Sequence, residues 1–325
     1  MIRESKGAEE VREQSPPCIV SLGGNALIKR GERGTIEEQF AHTRECMRQI
    51  SRMIEEGYRI VITHGNGPIV GNILIRNEAA KNTVPPMPLY ICDADSEGGI
   101  GFMVQQTLYN HLRKIDLVTD VVTVITQVVV DRNDEAFKEP TKPVGPFYTA
   151  DEARILDKSK GWRLVEDSGR GYRRVVPSPR PLRIIESPVI KHLADVGVVV
   201  IAAGGGGVPV VETEGSLEGV DAVIDKDMAT STLAMEIGAV SIVNVTQVDM
   251  VYLNYGETDQ KGLRQVGLDE IKTYYAQGHF PPGSMGPKIE AAIEFLEAGG
   301  RQVIITSPRL ISDAMEGKAG TTISS

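Results

Sequence analysis

The chain has few of the residues and segments that mark secreted, membrane or nucleic-acid-binding proteins. Among its 325 residues there are three cysteines, Cys18, Cys46 and Cys92, too few and too scattered for a disulfide framework or a zinc site. No apolar run approaches the roughly 18 residues of a membrane-spanning helix, and the charged start has no signal-peptide core. The net charge of -9 argues against a nucleic-acid binder. We therefore expect a cytoplasmic protein with a small-molecule substrate, and neither nucleic acid nor membrane as partner.

The composition that is present is that of a globular protein, with 41% hydrophobic and 24% charged residues. The charged segment 1–16 is predicted to be a disordered N-terminal extension, and residues 17–325 are predicted to form one domain. Its apolar runs are rich in Val and Ile and do not alternate with polar residues, which is typical of strands buried on both faces of a parallel sheet. The strands predicted from these runs are Cys18–Leu22, Arg59–Thr63, Val121–Val130, Val196–Ala202, Val240–Val245 and Gln302–Thr306.

Helical patterns separate these strands. Apolar residues at spacings of three and four predict helices, and the alternation of strand and helix predicts a doubly wound α/β fold, in which ligands bind beyond the carboxyl ends of the strands. The predicted helices are Ile36–Gly57, Gly98–Lys114, Pro188–Val196, Lys226–Gly238, Leu268–Gln277 and Pro287–Ala298.

Residues 132–181 interrupt this alternation. The segment is rich in Pro, Gly, Lys and Arg and has only short regular patterns, and long irregular segments inside compact domains are usually functional. We interpret it as an inserted subdomain that forms a lid. The alternative is a solvated surface excursion.

Glycine-rich loops follow three of the predicted strands. They contain Gly23-Gly24-Asn25, Gly65-Asn66-Gly67 and residues 204–207, and a further small-residue turn, 283–287, leads into Lys288. Glycine at a strand end lets backbone N–H groups approach a phosphate, and a helix that starts next adds its positive end. Several such loops in one chain predict a polyphosphate site.

Familiar motifs for other chemistries are absent. There is no G-x-x-x-x-G-K-[ST] P-loop and no G-x-S-x-G nucleophile elbow. The five histidines lack the spacing of metal ligands, so no protein-bound metal is predicted. The run from Gly65 to Gly71 has one residue too many for a dinucleotide fingerprint, and Pro68 removes a backbone donor. A nicotinamide-dependent enzyme is therefore a weaker alternative.

Three lysines lie beside these loops or in the insertion. Lys226 begins a predicted helix, Lys288 follows the small-residue turn, and Lys142 lies in the insertion. Phosphoryl transfer needs alignment and positive charge on the phosphoryl oxygens more than it needs a nucleophile from the protein. Asp225 can orient Lys226 by an ion pair or cap the helix. The three lysines are therefore candidates for phosphoryl transfer.

At these residues the sequence resembles the carbamate kinases of the amino acid kinase family, from about Cys18 to Ile323. The similarity rests on many strings in the same order. Among them are residues 22–26 (LGGNA), 64–68 (HGNGP), 126–131 (TQVVVD), 140–143 (PTKP), 175–179 (VVPSP), 222–227 (AVIDKD), 252–256 (YLNYG) and 278–288 (GHFPPGSMGPK).

The resemblance implies an open three-layer αβα sandwich with a mostly parallel sheet, an inserted protruding subdomain over the acceptor site, and a homodimer. It implies a phosphotransferase that catalyses carbamoyl phosphate + ADP = carbamate + ATP, with ATP/ADP and with Mg²⁺ held mainly by the nucleotide phosphates. The expected role is ATP generation in the catabolism of arginine or a related carbamoyl donor.

The resemblance also implies site residues. Lys226 and Lys288 would neutralise the phosphoryl oxygens, Lys142 would reach in from the insertion, and Asp225 would organise the lysines. The residues expected around the carbamate and the transferred phosphoryl group are Gly23, Gly24, Asn25, Gly65 and Asn66. The residues expected along the nucleotide are Gly205, Gly206, Asp227, Tyr252 and Met285.

The chain departs from the family at several positions. Ile69 stands where Gln is usual, Gln247 where Asp or Gly is usual, and a stretch that usually has neutral residues holds three acids, Asp93, Asp95 and Glu97. If the acids face the acceptor site, they would repel an anionic carbamate. One alternative is therefore a paralogue that phosphorylates another small carboxylate or carbamate-like acceptor, and another is a non-catalytic nucleotide-binding regulator.

Overall fold

The computed structural model describes residues 16–24, 28, 32–167, 171–281 and 283–325. Most of the predicted N-terminal extension, residues 1–15, lies outside this part of the chain. No helix among the described residues has both the length and the apolar character needed to cross a bilayer.

The described residues form strands at each of the six predicted Val- and Ile-rich runs, and further strands that those runs did not predict. In chain order they are β1 Cys18–Leu22, β2 Ile60–His64, β3 Val121–Thr123, β4 Gln127–Val129, β5 Lys142–Tyr148, β6 Leu164–Glu166, β7 Tyr172–Val176, β8 Arg183–Ile184, β9 Val199–Ile201, β10 Val208–Thr213, β11 Ser216–Gly219, β12 Ser241–Val245, β13 Val251–Leu253, β14 Lys261–Leu263, β15 Gln265–Gly267, β16 Gln302–Thr306 and β17 Thr321–Ser324.

The α-helices of the described residues lie between these strands. They are α1 Ile36–Glu55, α2 Gly67–Ala80, α3 Leu89–Lys114, α4 Ala150–Lys160, α5 Ser187–Asp195, α6 Lys226–Ile237, α7 Leu268–Ala276, α8 Met285–Glu297 and α9 Ile311–Met315. Helix α1 begins with a capping box, in which Thr35 and Glu38 satisfy each other's backbone N–H groups.

The central sheet has eight strands in the order β15-β17-β16-β12-β1-β2-β9-β3. All neighbouring pairs in it are parallel except β16 and β17. Smaller sheets are β11-β10-β4-β8 and β13-β14. The predicted α/β fold with a mostly parallel sheet is confirmed.

Helices cover both faces of the central sheet, as its buried strands require. Along β1, Val20 and Leu22 pack with the layer of α1 and α3, whereas Ile19 packs with the layer of α5, α6 and α8. Side chains alternate between faces along a strand, so a strand with apolar residues at every position must be covered twice. Each fully buried Val, Leu or Ile contributes about 1.5–3 kcal/mol, and this fixes the three-layer arrangement.

A separate antiparallel sheet, β5-β7-β6, together with α4, lies within the predicted insertion 132–181. Strand β5 runs from Lys142, which contacts Asp225 at the start of α6, to Tyr148. Gly145 of this strand lies close to Gly71 of α2. The insertion is thus a folded unit against α2; its domain boundaries and lid role remain predictions.

Three sequence predictions differ from the structure. The single predicted strand Val121–Val130 is wrong: it forms β3 and β4, which belong to different sheets, because the chain turns at Thr126. Helix α2 was missed because it begins with Gly67 and Pro68. Helix α3 begins at Leu89 rather than Gly98, since the acid-rich turns before Gly98 are held by buried contacts.

Candidate active site

The predicted glycine loops meet at one edge of the central sheet. Strands β1 and β2 are parallel neighbours and end at Leu22 and His64, so the loops that follow them lie side by side. A Cβ on Gly65 would lie 2.8 Å from the backbone nitrogen of Gly24 and 3.3 Å from Cδ of Lys226. Only glycine allows this approach, and the loops therefore form a surface against which the Lys226 side chain lies.

Asp227 lies at the centre of the site and joins two of the predicted lysines. Its Oδ1 accepts hydrogen bonds from Lys226 Nζ at 2.7 Å and Asn244 Nδ2 at 2.8 Å, and its Oδ2 accepts one from Lys288 Nζ at 2.8 Å. Lys226 Nζ also donates to Ser21 Oγ at 2.9 Å. Helix α6 thus supplies one ammonium group, α8 supplies the other, and a single carboxylate holds them in place.

The protonation states of this cluster follow from its burial and charges. Burial alone would raise the pKa of Asp227, but the two neighbouring ammonium groups outweigh it and hold that pKa well below its usual range. Burial lowers the pKa of Lys226, and the negative charge of Asp227 offsets part of that effect. The cluster therefore places two cationic amines around one anion, with excess positive charge.

Asp225 holds the third lysine. Its Oδ1 accepts a hydrogen bond from the backbone N–H of Asp227 at 2.9 Å, which caps α6, and its Oδ2 accepts one from Lys142 Nζ at 2.8 Å. The predicted helix cap is confirmed, but the predicted ion pair of Asp225 with Lys226 is wrong, because Lys226 pairs with Asp227 instead. Asp225 contacts Lys142 from the insertion, whereas Asp227 joins Lys226 and Lys288.

A cavity of about 340 Å³ adjoins this cluster, and Lys288 lines it. Two residues predicted for the nucleotide side, Tyr252 and Met285, also line it, together with Gln247, one of the departures from the family pattern. Lys288 therefore connects the cavity to Asp227, which is the arrangement needed for a nucleotide whose terminal phosphate reaches the lysines.

The glycine turn after β9 lies beside Asn66 rather than in that cavity. Gly205 has φ +70°, and a Cβ there would lie 2.2 Å from Nδ2 of Asn66. Gly206 lies against the carbonyl of Ile224, and a Cβ on Gly206 would lie 2.3 Å from that carbonyl oxygen. Gly23 is fixed at the end of β12 by a 2.9 Å hydrogen bond to the carbonyl of Val245. The roles predicted for Gly23, Gly205 and Gly206 remain predictions.

Two of the three unexpected acids on α3 are buried behind the glycine loops. Glu97 accepts hydrogen bonds from the backbone N–H groups of Thr126 at 3.1 Å and Gly204 at 2.9 Å. Asp93 accepts a long one, 3.5 Å, from Nδ2 of Asn66, which also donates to Ser96. Asp95 is exposed. The acids therefore support the site from behind and do not form one negative surface.

Burial is the largest cause of the pKa shifts of these groups, none of which pairs with an oppositely charged side chain among the described residues. It raises the pKa of Glu97 to about 8 and that of Asp93 well above its usual range. It lowers the pKa of His64, which is fully buried against Gly204, to about 4. His64 is therefore neutral at pH 7, and it lies beneath the turn rather than in the open site.

The sequence motifs missed two partners of the cluster, Ser21 and Asn244. Each is a polar residue near the carboxyl end of an otherwise apolar, buried strand. A buried polar residue is more informative than an exposed apolar one, so the interruption of the Val/Ile runs was a usable signal.

One predicted residue, Asn25, lies outside the described residues. Within the described part of the chain, no three His, Cys, Asp or Glu side chains come together to hold a metal ion. The carboxylates of Asp225 and Asp227 are both occupied by lysines.

Comparison with known proteins identifies the family of this chain. Residues 16–307 match the model of the amino acid kinase family. The carbamate kinase of Thermococcus kodakarensis is 49% identical over 94% of this chain and 98% of its own. The carbamate kinase-like protein YahI of Escherichia coli is 47% identical over the same shares. The structure of Giardia lamblia carbamate kinase bound to AMP-PNP superposes with a TM-score of 0.91 at 43% identity, covering 96% of this chain and 99% of that one.

The matches span nearly the whole of both chains, at identities far above those at which only the fold is shared. The chain therefore belongs to the amino acid kinase family, among the carbamate kinases.

Proposed function

We propose that the protein is a carbamate kinase that catalyses reversible phosphoryl transfer between carbamoyl phosphate and ADP, giving carbamate and ATP. The observation that carries the proposal is the buried Asp227, which holds Lys226 and Lys288 beside the ends of the parallel strands. No nucleophile or general base from the protein is needed, because an ADP phosphate oxygen attacks the phosphorus while the carbamate oxygen leaves with the bonding electrons.

The lysines supply the charge that this transfer requires. In the transition state, negative charge spreads over the oxygens of the transferred group, and fixed ammonium groups stabilise it without reorganisation. Lys226 and Lys288 are both fixed by Asp227, and Lys142 is fixed by Asp225. Backbone N–H groups at Gly24 and the start of α2 suit the carbamate and phosphoryl oxygens, whereas the N–H of Gly65 donates to the carbonyl of Leu22 at 2.8 Å.

ADP or ATP fits the cavity lined by Tyr252, Met285 and Lys288. A base or ribose packs against the aromatic and thioether side chains, and the phosphates extend to Lys288. The structure of the Giardia lamblia relative contains the ATP analogue AMP-PNP. Mg²⁺ enters with the nucleotide as its phosphate complex, since Asp225 and Asp227 are occupied by lysines.

We also propose that the enzyme is a cytoplasmic homodimer. Strand β3 is an edge strand of the central sheet. Large apolar side chains are exposed beside it, on α3 and on the loops flanking β3: Phe102, Tyr109, Val118 and Ile125. An exposed edge strand with neighbouring apolar side chains is the kind of surface that a second copy covers. Sedimentation of the protein tests this proposal.

The decisive assay is ATP formation from ADP and carbamoyl phosphate with Mg²⁺. Carbamoyl phosphate decays unaided, so ATP must be followed rather than phosphate. We expect turnover that falls on the order of 10²–10³-fold in Lys226→Ala. The matched control is Lys191→Ala, which removes an exposed lysine of α5 paired with Asp195 and should change the rate by less than about twofold. Folded protein that binds ADP but forms no ATP would overturn the proposal.

One observation favours a second candidate, transfer to another small carboxylate or carbamate-like acceptor. Asp93 is a buried acid whose Oδ2 has no hydrogen-bond partner among the described residues and whose Oδ1 is 3.5 Å from Nδ2 of Asn66. If Asp93 shapes the acceptor pocket through Asn66, a screen of small carboxylates with ATP should find one used faster than carbamate.

A further inference from the structure

A second cavity, of about 350 Å³, lies between the insertion and helices α2 and α3. Glu78 and Lys81 of α2 line one side, and Tyr148 at the far end of β5 lines another. Asn66 directly precedes α2, and Glu78 lies twelve residues further on, about 18 Å along the helix at 1.5 Å per residue. None of the lysines of the Asp227 cluster lines this cavity, so it is separate from the candidate active site.

Arg174 is the unusual group in this cavity. Its side chain is half-buried, and its guanidinium carbon lies 4.6 Å from the ring centroid of Trp162. Within the described part of the chain, Arg174 has no hydrogen-bond or ion-pair partner; the nearby carboxylate of Asp221 accepts a hydrogen bond from the backbone N–H of Leu89. Burial lowers the pKa of Arg174, and the negative charge of Asp221 offsets part of that effect, so the guanidinium is partly removed from water. A desolvated guanidinium with unused donors is a site for an oxyanion.

The charged groups that line the cavity leave one positive charge in excess. Lys160 and Lys81 both pair with Glu78, the former at 2.5 Å. With Arg174 and Asp221, the lining therefore holds three cations and two carboxylates, an excess of one positive charge. A single negative charge on a ligand would balance it.

Most of the remaining lining is apolar, with Asn77 and Tyr148 as polar exceptions. The apolar residues include Leu74, Pro86, Pro88, Val144 and Pro146. The ring of Trp162 contacts Arg174 and also Lys160, whose Nζ lies 4.2 Å from the ring centroid. Apolar walls with a few polar groups are the usual construction of a small-molecule site, and the volume lies within the usual range of about 300–1,000 Å³. These walls suit a flat or branched hydrocarbon body rather than a bare inorganic ion.

We propose that this cavity binds a small organic monocarboxylate, whose carboxylate is held by the two-pronged guanidinium of Arg174 beside Trp162 and whose apolar body packs against Leu74, Val144 and the prolines. The single excess charge favours a carboxylate over a phosphate monoester, which carries nearly two negative charges. The bound molecule would touch both the insertion and helix α2, and so both sides of the contact between them.

The chain's single tryptophan is Trp162, so its fluorescence reports occupancy directly. The full-length protein is titrated with benzoate as the probe, and calorimetry measures the same binding independently. We expect a saturable change in the emission of Trp162. Benzamide, which has the same shape without the charge, should bind at least about tenfold more weakly. Phenyl phosphate tests the preference for one negative charge and should also bind more weakly than benzoate.

Variants assign the binding to Arg174. Arg174→Met should weaken benzoate binding by about ten- to a hundredfold, because hydrogen bonds to charged groups are lost, and Arg174→Lys should retain part of it. Circular dichroism checks that each variant is folded. If Arg174→Met misfolds, the loss of bidentate geometry in Arg174→Lys still tests the assignment.

Further controls separate this cavity from the active site. Lys226→Ala should bind benzoate as the unchanged protein does, and AMP-PNP should not displace it. The proposal is overturned if benzoate produces no saturable change, if benzamide binds as tightly, if the Arg174 variants bind unchanged, or if AMP-PNP competes. None of these results depends on turnover, so failure here leaves the proposed kinase activity untouched.

Discussion

Two buried carboxylates close to the active site, Asp227 and Glu97, behave in opposite ways. Asp227 has both oxygens paired with lysine ammonium groups, and its pKa is held well below the usual range. Glu97 has two backbone N–H groups as partners and no cation, and its pKa is raised to about 8. Burial pushes both pKa values upward, and only the neighbouring charges differ.

This difference shows that burial does not decide the charge of an acid in this protein; its partners do. Asp227 stays ionised and acts as a fixed anion between two cations. Glu97 holds a proton over most of the neutral range, and Asp93 is shifted in the same direction. The acids of α3 therefore bring little negative charge to the acceptor side, although the sequence places three of them together.

The largest expected effect comes from removing the charge of Asp227. In Asp227→Asn the shape is kept, but Lys226 and Lys288 lose their common anion and repel each other. Breaking one side of a buried ion pair typically costs about 3–5 kcal/mol, and we expect kcat for ATP formation to fall on the order of 10²–10³-fold. Denaturant unfolding and the ATP assay measure the two effects. Unchanged activity and stability would show that Asp227 does not organise the lysines.

A middle-sized effect is expected from Glu97, and it is a change of pH dependence. Its pKa rises from 4.5 in the unfolded chain to about 8 in the folded one. The folded state therefore binds the proton more tightly, and this contribution is complete below about pH 4.5 and lost as the pH rises through about 8. Between these two pH values, the proton on Glu97 makes the free energy of unfolding fall by up to about 1.4 kcal/mol per pH unit. Glu97→Gln should remove this fall.

The Glu97 prediction is measured as the difference in unfolding free energy between the two proteins at several pH values. The amide that replaces the carboxyl group also places an N–H group opposite one backbone N–H donor. The resulting loss of stability does not change with pH. The decline of stability with pH should be shallower in Glu97→Gln. Parallel curves would mean that Glu97 is ionised in the folded protein at neutral pH.

The smallest effect is expected from Asp93→Asn, the same chemical change as Asp227→Asn on the other side of the site. Burial raises the pKa of Asp93 well above its usual range, and Asp93 has no cationic partner among the described residues, so the amide breaks no ion pair. The loss of stability at pH 7 should be about 1 kcal/mol or less. A loss as large as that of Asp227→Asn would show that Asp93 is ionised and has a charged partner.

Much of the fold follows from sequence patterns alone. The predicted β1 and the strand Gln302–Thr306 have the same ends in the structure, and helix α1 starts at the predicted Ile36, next to its capping box. The errors share a cause. The pattern of Val121–Val130 predicts one strand because its apolar residues continue through the turn. The turn at Thr126 is fixed by a hydrogen bond to Glu97, which is remote in sequence.

The site follows the same division. The glycine loops and the lysines were recognisable because their residue types and order point to phosphate chemistry. The sequence did not show which acid holds which lysine, because Asp225 and Asp227 are equivalent by sequence. They differ only in the direction in which the start of α6 presents their carboxylates. Ser21 and Asn244 become partners of the cluster only when strands β1 and β12 lie side by side.

The sequence by itself determined the α/β fold, the edge of the sheet where the site lies and the membership of the carbamate kinases, because local patterns and motif order carry that information. Tertiary structure alone decided the charge of each buried acid and the cavity around Arg174. Those properties depend on which distant groups, a lysine, a backbone N–H or a tryptophan ring, come within a few ångströms of one another.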